Sequence, residues 1–121
     1  MLEPQRLRGI VVPMATPLER DGRRVNATGV RELVEHLVVG GVHAVFVAGT
    51  TGEGPALEVQ EWTRLVRTAV EASRGRVPVL AGVLAPATAP AVALARTAAD
   101  LGVDAVVATA PYYYAYSHDE V

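Results

Sequence analysis

Two stretches of this chain carry residue types that can do chemistry. The first, Gly49-Thr50-Thr51-Gly52-Glu53-Gly54, follows the apolar run Ala44-Val45-Phe46-Val47-Ala48. Glycines let a backbone approach a ligand closely and adopt conformations other residues avoid, and consecutive N–H groups in such a turn form an anion-binding concavity. Thr50 and Thr51 set two hydroxyls beside it. The second stretch is Pro111-Tyr112-Tyr113-Tyr114, with Tyr116 and Ser117 close behind. Hydroxyls held in a chain relay protons where one isolated group could not. Tyrosines also make contact patches, having a large apolar face and a polar tip, and the two roles can coexist. The threonines have a plainer reading as caps or loop-satisfying groups, against which the flanking glycines and Glu53 favour a ligand site. Glu53 itself is expected to make a structural hydrogen bond near a positive helix end. His36, His43 and His118 have no partner at metal-ligand spacing, so neither a metal nor a cofactor is expected.

Positioning these residues takes a repeating scaffold. Ile10-Val11-Val12 reads as a first strand stopped by Pro13. Asn26 is placed to cap a helix whose Val30, Leu33, Val34, Leu37 and Val38 recur at helical spacing until Gly40-Gly41. Residues 43–48 form a second strand, and Val59, Trp62, Val66, Ala69 and Val70 give the apolar side of a second helix ending near Gly75. A third strand at 77–82 precedes a helix with Thr88 as cap and Pro90 in its first turn, in which Leu94, Ala95, Ala98 and Leu101 face inward. The fourth strand, 104–110, ends at Pro111.

Strands this uniformly apolar are expected to be covered on both faces, as in a parallel sheet with crossover helices. The fold class is therefore α/β, a parallel βα repeat. Periodicity leaves open a flavodoxin-like sheet or a segment of a barrel, which needs eight βα units and ~250 residues. In both architectures ligands bind at loops after the carboxyl ends of strands. Thr16, Thr50, Thr51, Glu53 and Tyr112 to Tyr114 all fall there.

Composition narrows the function classes. The 121 residues carry a net charge of -2 with a pI near 5.9, and half are hydrophobic. Scattered arginines form no basic stripe, so nucleic acid is not an expected partner. There is no cysteine for a disulfide, thiolate or metal site. No apolar run approaches the ~18 residues of a membrane span, and residues 1–6 lack a signal-peptide core; a cytoplasmic protein with no membrane partner is expected. All 11 basic side chains are arginine and none is lysine, which, with heavy alanine and valine use, reads as the coding bias of a GC-rich genome.

On the loop of residues 49–54 and on Pro111-Tyr112-Tyr113, the chain resembles the dihydrodipicolinate synthase family, which includes the N-acetylneuraminate lyases and the 2-keto-3-deoxy sugar acid aldolases. The resemblance runs from Gly9 to the end. It implies a TIM (βα)8 barrel, of which residues 1–121 are the N-terminal half with four βα units, the C-terminal half being absent as in a fragment of a longer gene product. It also implies pyruvate, or another 2-keto acid, bound as a Schiff base on a barrel lysine. Thr50 would then pass protons between two tyrosines, and Thr51 and Gly52 would hold the carboxylate. Tyr113 would reach across a dimer interface into a neighbour's site, giving a homo-oligomer through residues 112–114. The lysine and the second tyrosine lie on later strands in the family, so the chain alone is expected to be inactive. Gly54-Pro55-Ala56-Leu57 and Gly82-Val83-Leu84-Ala85-Pro86 depart from the synthases, which carry a polar, glycine- and asparagine-bearing turn at the latter. The tyrosine run with Ser117 also looks like some sugar acid aldolases. The expected class is a pyruvate-dependent lyase, with a sugar acid aldolase as the alternative substrate assignment. A non-catalytic half-barrel assembly or ligand-binding module is the alternative of another class. Phosphate binding by the loop fits less well, because it lacks both the P-loop lysine and the dinucleotide spacing.

Overall fold

Glycine-punctuated alternation of short β-branched runs with helical periods becomes, in the computed structural model, a strictly alternating βα chain; residues 7–120 are described. The elements are β1 (Val11–Pro13), α1 (Ala27–Val39), β2 (Ala44–Val47), α2 (Val59–Ser73), β3 (Val79–Gly82), α3 (Thr88–Asp100) and β4 (Ala105–Val107), with 3-10 turns at Gly54–Ala56 and His118–Glu120. The strands form one four-stranded sheet in the order β1-β2-β3-β4, and every neighbouring pair is parallel.

Register decides which side chains meet. Pro13, Phe46, Leu80 and Ala105 are cross-strand partners and share one face, while Val45 with Val79 and Val47 with Ala81 lie on the other. That second face packs against Val30 and Val34 of α1, Trp62, Leu65, Val66 and Ala69 of α2, and Ala98 of α3 in the buried core. All three helices therefore cover the same side. Strands in sequential order with crossovers of one hand give this result, whereas a doubly wound sheet reverses its strand order and puts helices on both sides. The barrel-type reading is the correct one of the two. The expectation that both strand faces are covered is corrected: among the described residues no helix covers the face of Pro13 and Phe46. In a barrel that face points to the interior and is enclosed by other strands.

Local chemistry explains most element ends. Asn26 caps α1, its side chain accepting from the Gly29 N–H at 2.8 Å. Thr88 does not cap α3; the cap is Ala87, and Thr88 is already the first helical residue. Val59 is 65% exposed because it stands at the first position of α2, and Leu65 completes the buried stripe in its place. Pro13 lies within β1 rather than after it, as an edge strand allows when the missing N–H faces outward. The fourth strand begins at Ala105 rather than Asp104, whose side chain accepts from the Val79 N–H at 2.8 Å. At the amino ends of the strands His43 Nδ1 accepts from the Ile10 N–H at 3.0 Å. Two hydrogen bonds of 3.1 and 2.6 Å from Arg76 to Glu35 tie α1 to the turn after α2, and they hold the Glu35 carboxyl below the ordinary carboxylate range.

The carboxyl ends of β2 and β3 are joined by a close approach. Ala48 has φ +55°, and its carbonyl oxygen lies against the Cα atoms of both Gly54 and Gly82, leaving no room for a Cβ on either. Gly49, Gly52 and Gly54 have ordinary φ values, and the left-handed conformations of this stretch fall instead on Ala48 and Glu53. The glycines serve proximity rather than unusual dihedrals, which corrects part of the sequence expectation. From below, the Trp62 indole N–H donates to the Gly82 carbonyl at 2.9 Å in a buried hydrogen bond. Among the described residues no helix is long and apolar enough to cross a membrane.

Trp62→Phe is expected to lower unfolding free energy by about 1–3 kcal/mol, from a buried carbonyl left unpaired and lost volume, as read by urea denaturation followed by far-UV circular dichroism. In the same assay Gly82→Ala should lose a similar amount, about 1–3 kcal/mol, because its Cβ must displace the Ala48 carbonyl. Ala48→Gly, which relieves an unfavourable dihedral, should be within about 1 kcal/mol of neutral. A Gly82→Ala protein of unchanged stability would refute the wedge.

Candidate functional site

Because the strands are parallel, the four loops that follow them emerge on one rim of the sheet. After β1, Thr16 donates its hydroxyl to the Gly52 carbonyl at 2.6 Å and couples two of these loops. After β2, the loop closes on itself through Glu53 N–H to the Thr50 carbonyl and Gly54 N–H to the Gly49 carbonyl, both 3.0 Å. Those bonds leave a consequential remainder. Among the described residues, the backbone N–H groups of Thr50, Thr51 and Gly52 and the hydroxyls of Thr50 and Thr51 have no protein hydrogen-bond partner. Thr50 and Thr51 are exposed and Gly52 is buried.

The capping alternative for the threonines is excluded by position. Helix α2 begins only at Val59, with Glu58 as its N-cap, and a 3-10 turn intervenes. The expected structural hydrogen bond of Glu53 is also absent among the described residues. Its side chain is exposed, and the residue contributes its left-handed backbone and its N–H to the loop instead.

On β3 and β4 the rim is aromatic and apolar. The Tyr112 hydroxyl donates to the Leu84 carbonyl at 3.3 Å, joining the β3 and β4 loops. Tyr113 stands two strands from Thr50 on the same rim. It is 85% exposed and has φ +89°, a conformation costly for a bulky L-residue. Its ring meets Tyr114 edge-on at 5.0 Å, and Tyr114 meets Tyr116 at 6.4 Å. Thus Thr16, Thr50, Thr51 and Gly52 form one coupled pair of loops, and the tyrosines form a second cluster across β3. A wide groove of about 940 Å³ between α1 and α2, lined by Arg31, Glu35 and Arg76 among others, lies at the opposite end of the strands. Among the described residues no group of three or more His, Cys, Asp or Glu could hold a metal ion.

Three contributors escaped the sequence reading. The Ala48 carbonyl and the Gly82 backbone shape the loop from outside it, and alanine carries no signal of such a role. The third is Phe46, whose ring occupies the space a Gly49 side chain would need. An aromatic residue in an otherwise Val/Ala strand was the available hint.

Comparison with known proteins matches this arrangement to a family. The dihydrodipicolinate synthetase family matches residues 6–121. A 4-hydroxy-tetrahydrodipicolinate synthase from Acidithiobacillus ferrooxidans is 43% identical over 105 residues, covering 87% of this chain and 36% of that protein. The dihydrodipicolinate synthase structure from Bacteroides thetaiotaomicron superposes with a TM-score of 0.87 at 41% identity, over 99% of this chain and 39% of that one. A prophage protein of the dihydrodipicolinic acid synthase family from E. coli K12, solved in complex with pyruvate, has a TM-score of 0.87 at 31% identity, over 92% of this chain and 37% of that one. The chain thus spans little more than a third of the length of such relatives, and its four strands and three α-helices, rather than the four complete βα units expected, correspond to the N-terminal part of the barrel. A match that extends over essentially the whole sequence, joined to the same parallel βα order, leaves one assignment: the chain belongs to the dihydrodipicolinate synthetase family.

Proposed function

We propose that the loop of residues 49–54 holds the carboxylate of pyruvate or a similar 2-oxo acid, as part of a lyase that activates this substrate as a Schiff base. The observation that carries the reading is the set of unpartnered N–H groups at Thr50, Thr51 and Gly52, fixed in place by the Thr16 hydroxyl on the Gly52 carbonyl. A carboxylate accepting from two such amides and the Thr51 hydroxyl gains charge-assisted hydrogen bonds. The pyruvate in the E. coli relative supports the substrate class.

The chemistry assigns work to the other hydroxyls. A lysine amine adds to the C2 carbonyl, water leaves, and the resulting imine makes the methyl group acidic, so that the enamine can attack an aldehyde. Addition, dehydration and final hydrolysis each move protons, and Thr50 and Tyr113 are the groups proposed to relay them. The amine comes from a lysine that these 121 residues do not contain. The exposure and left-handed backbone of Tyr113 support its reaching into the site of a second copy, with residues 112–114 as the contact in a homo-oligomer. The apolar turn Leu84-Ala85-Pro86 supports a sugar acid aldolase as the second reading within this class.

Adding pyruvate to the isotopically labelled chain should move the amide resonances of residues 50–52, and Thr51→Val should weaken the apparent affinity by about tenfold, the worth of one hydrogen bond to a charged group. Shifts confined to other residues would refute the reading. Borohydride reduction with pyruvate should leave every side chain of this chain unlabelled. Mixed with a lysine-bearing C-terminal part of a relative, the adduct should appear on that part alone. A pyruvyl adduct on a side chain of this protein, seen by mass spectrometry, would contradict the mechanism.

A further inference from the structure

Phe46 is the single phenylalanine of the chain, and its place in β2 differs from that of its neighbours. Val45 and Val47 are fully buried beneath the helices, whereas Phe46 is half-buried on the opposite sheet face, in register with Pro13 on one side and Leu80 on the other. Neighbouring strands lie only about 4.7–4.9 Å apart, so Pro13 and Leu80 stand on either side of Phe46 on this face. The ring extends toward the rim. Its Cε1 and Cζ atoms lie 2.7 Å from where a Cβ on Gly49 would stand. Gly49 directly precedes the first of the unpartnered N–H groups, so the far edge of the ring underlies the backbone of the proposed carboxylate cradle.

We propose that Phe46 is the floor of the 2-oxo acid site and sets the size of the alkyl group that the substrate carries on its carbonyl carbon, C2. The inference rests on the reading that residues 50–52 bind the carboxylate of such an acid. With that end fixed, the hydrocarbon end of the ligand needs an apolar surface, and the ring edge supplies one next to the cradle. A methyl group fits against it and keeps water from beneath the carbonyl. A longer alkyl chain must displace a ring that stands between Pro13 and Leu80.

The test uses the 121-residue chain with ring-labelled phenylalanine, which reports one site only. Pyruvate should show a nuclear Overhauser contact between its methyl protons and the Phe46 ring. Pyruvate should also bind more tightly than 2-oxobutyrate, and Phe46→Leu should narrow that preference by about tenfold, the smaller end of what one methylene discriminates, with the shifts at residues 50–52 retained. If pyruvate moves the amides of 50–52 but shows no contact with the ring, or if Phe46→Leu leaves the preference unchanged, the floor is refuted and the carboxylate site stands. If pyruvate leaves those amides unmoved, the carboxylate reading falls and the floor falls with it. Should Phe46→Leu lose its native circular dichroism, the contact in the unaltered chain decides alone.

Discussion

The Ala48 carbonyl is wedged against Gly54 on one side and Gly82 on the other, and the rim of the sheet is organised around that wedge. It brings the end of β2, the loop that follows, and the end of β3 closer together than any side chain permits. Trp62 then fixes the Gly82 carbonyl from the helix side, and Thr16 fixes Gly52 from the β1 side. The loop is held by its neighbours at three points while its own amides at 50–52 stay free. A loop fixed in this way by its neighbours is ordered without any ligand, so binding by it would not carry that ordering cost.

Topology supplies the second condition. Parallel strands in unbroken order send every loop that follows a strand to the same rim, and the helices to a single face. Thr16, Thr50 and Tyr113, widely separated in sequence, are thereby placed on one side of one sheet. The other face of the sheet carries Phe46 and Pro13, with no helix over it among the described residues. Such a face is natural for units of a barrel, whose interior is filled by side chains from strands all around it.

Much of this was legible in the residues. The βα alternation followed from glycine punctuation and helical periodicity, the Asn26 cap from its place before the first apolar position, and the family from the glycine-threonine loop with the tyrosine run. Other features were not. Thr88 looked like a cap and is a helical residue, since propensity marks a boundary only to within a position or two. Val59 matched the apolar stripe of α2 but lies at its exposed first turn. The left-handed conformations near the loop fell on Ala48 and Glu53, beside glycines that are present for lack of bulk.

The sequence by itself determined the parallel βα repeat and the family, because hydrophobic period and turn residues are local properties written along the chain. It also excluded a lysine amine from these residues, which is a matter of composition. Periodicity did not choose between a barrel segment and a doubly wound sheet, since strand order is a long-range pairing that it does not encode; the family resemblance implied the barrel, and the tertiary structure bears that out in its strand order. Only the tertiary structure left the amides of 50–52 unpartnered and put the Phe46 ring beneath Gly49. Both depend on how backbone from separate strands packs, where register and close approach decide which groups remain free.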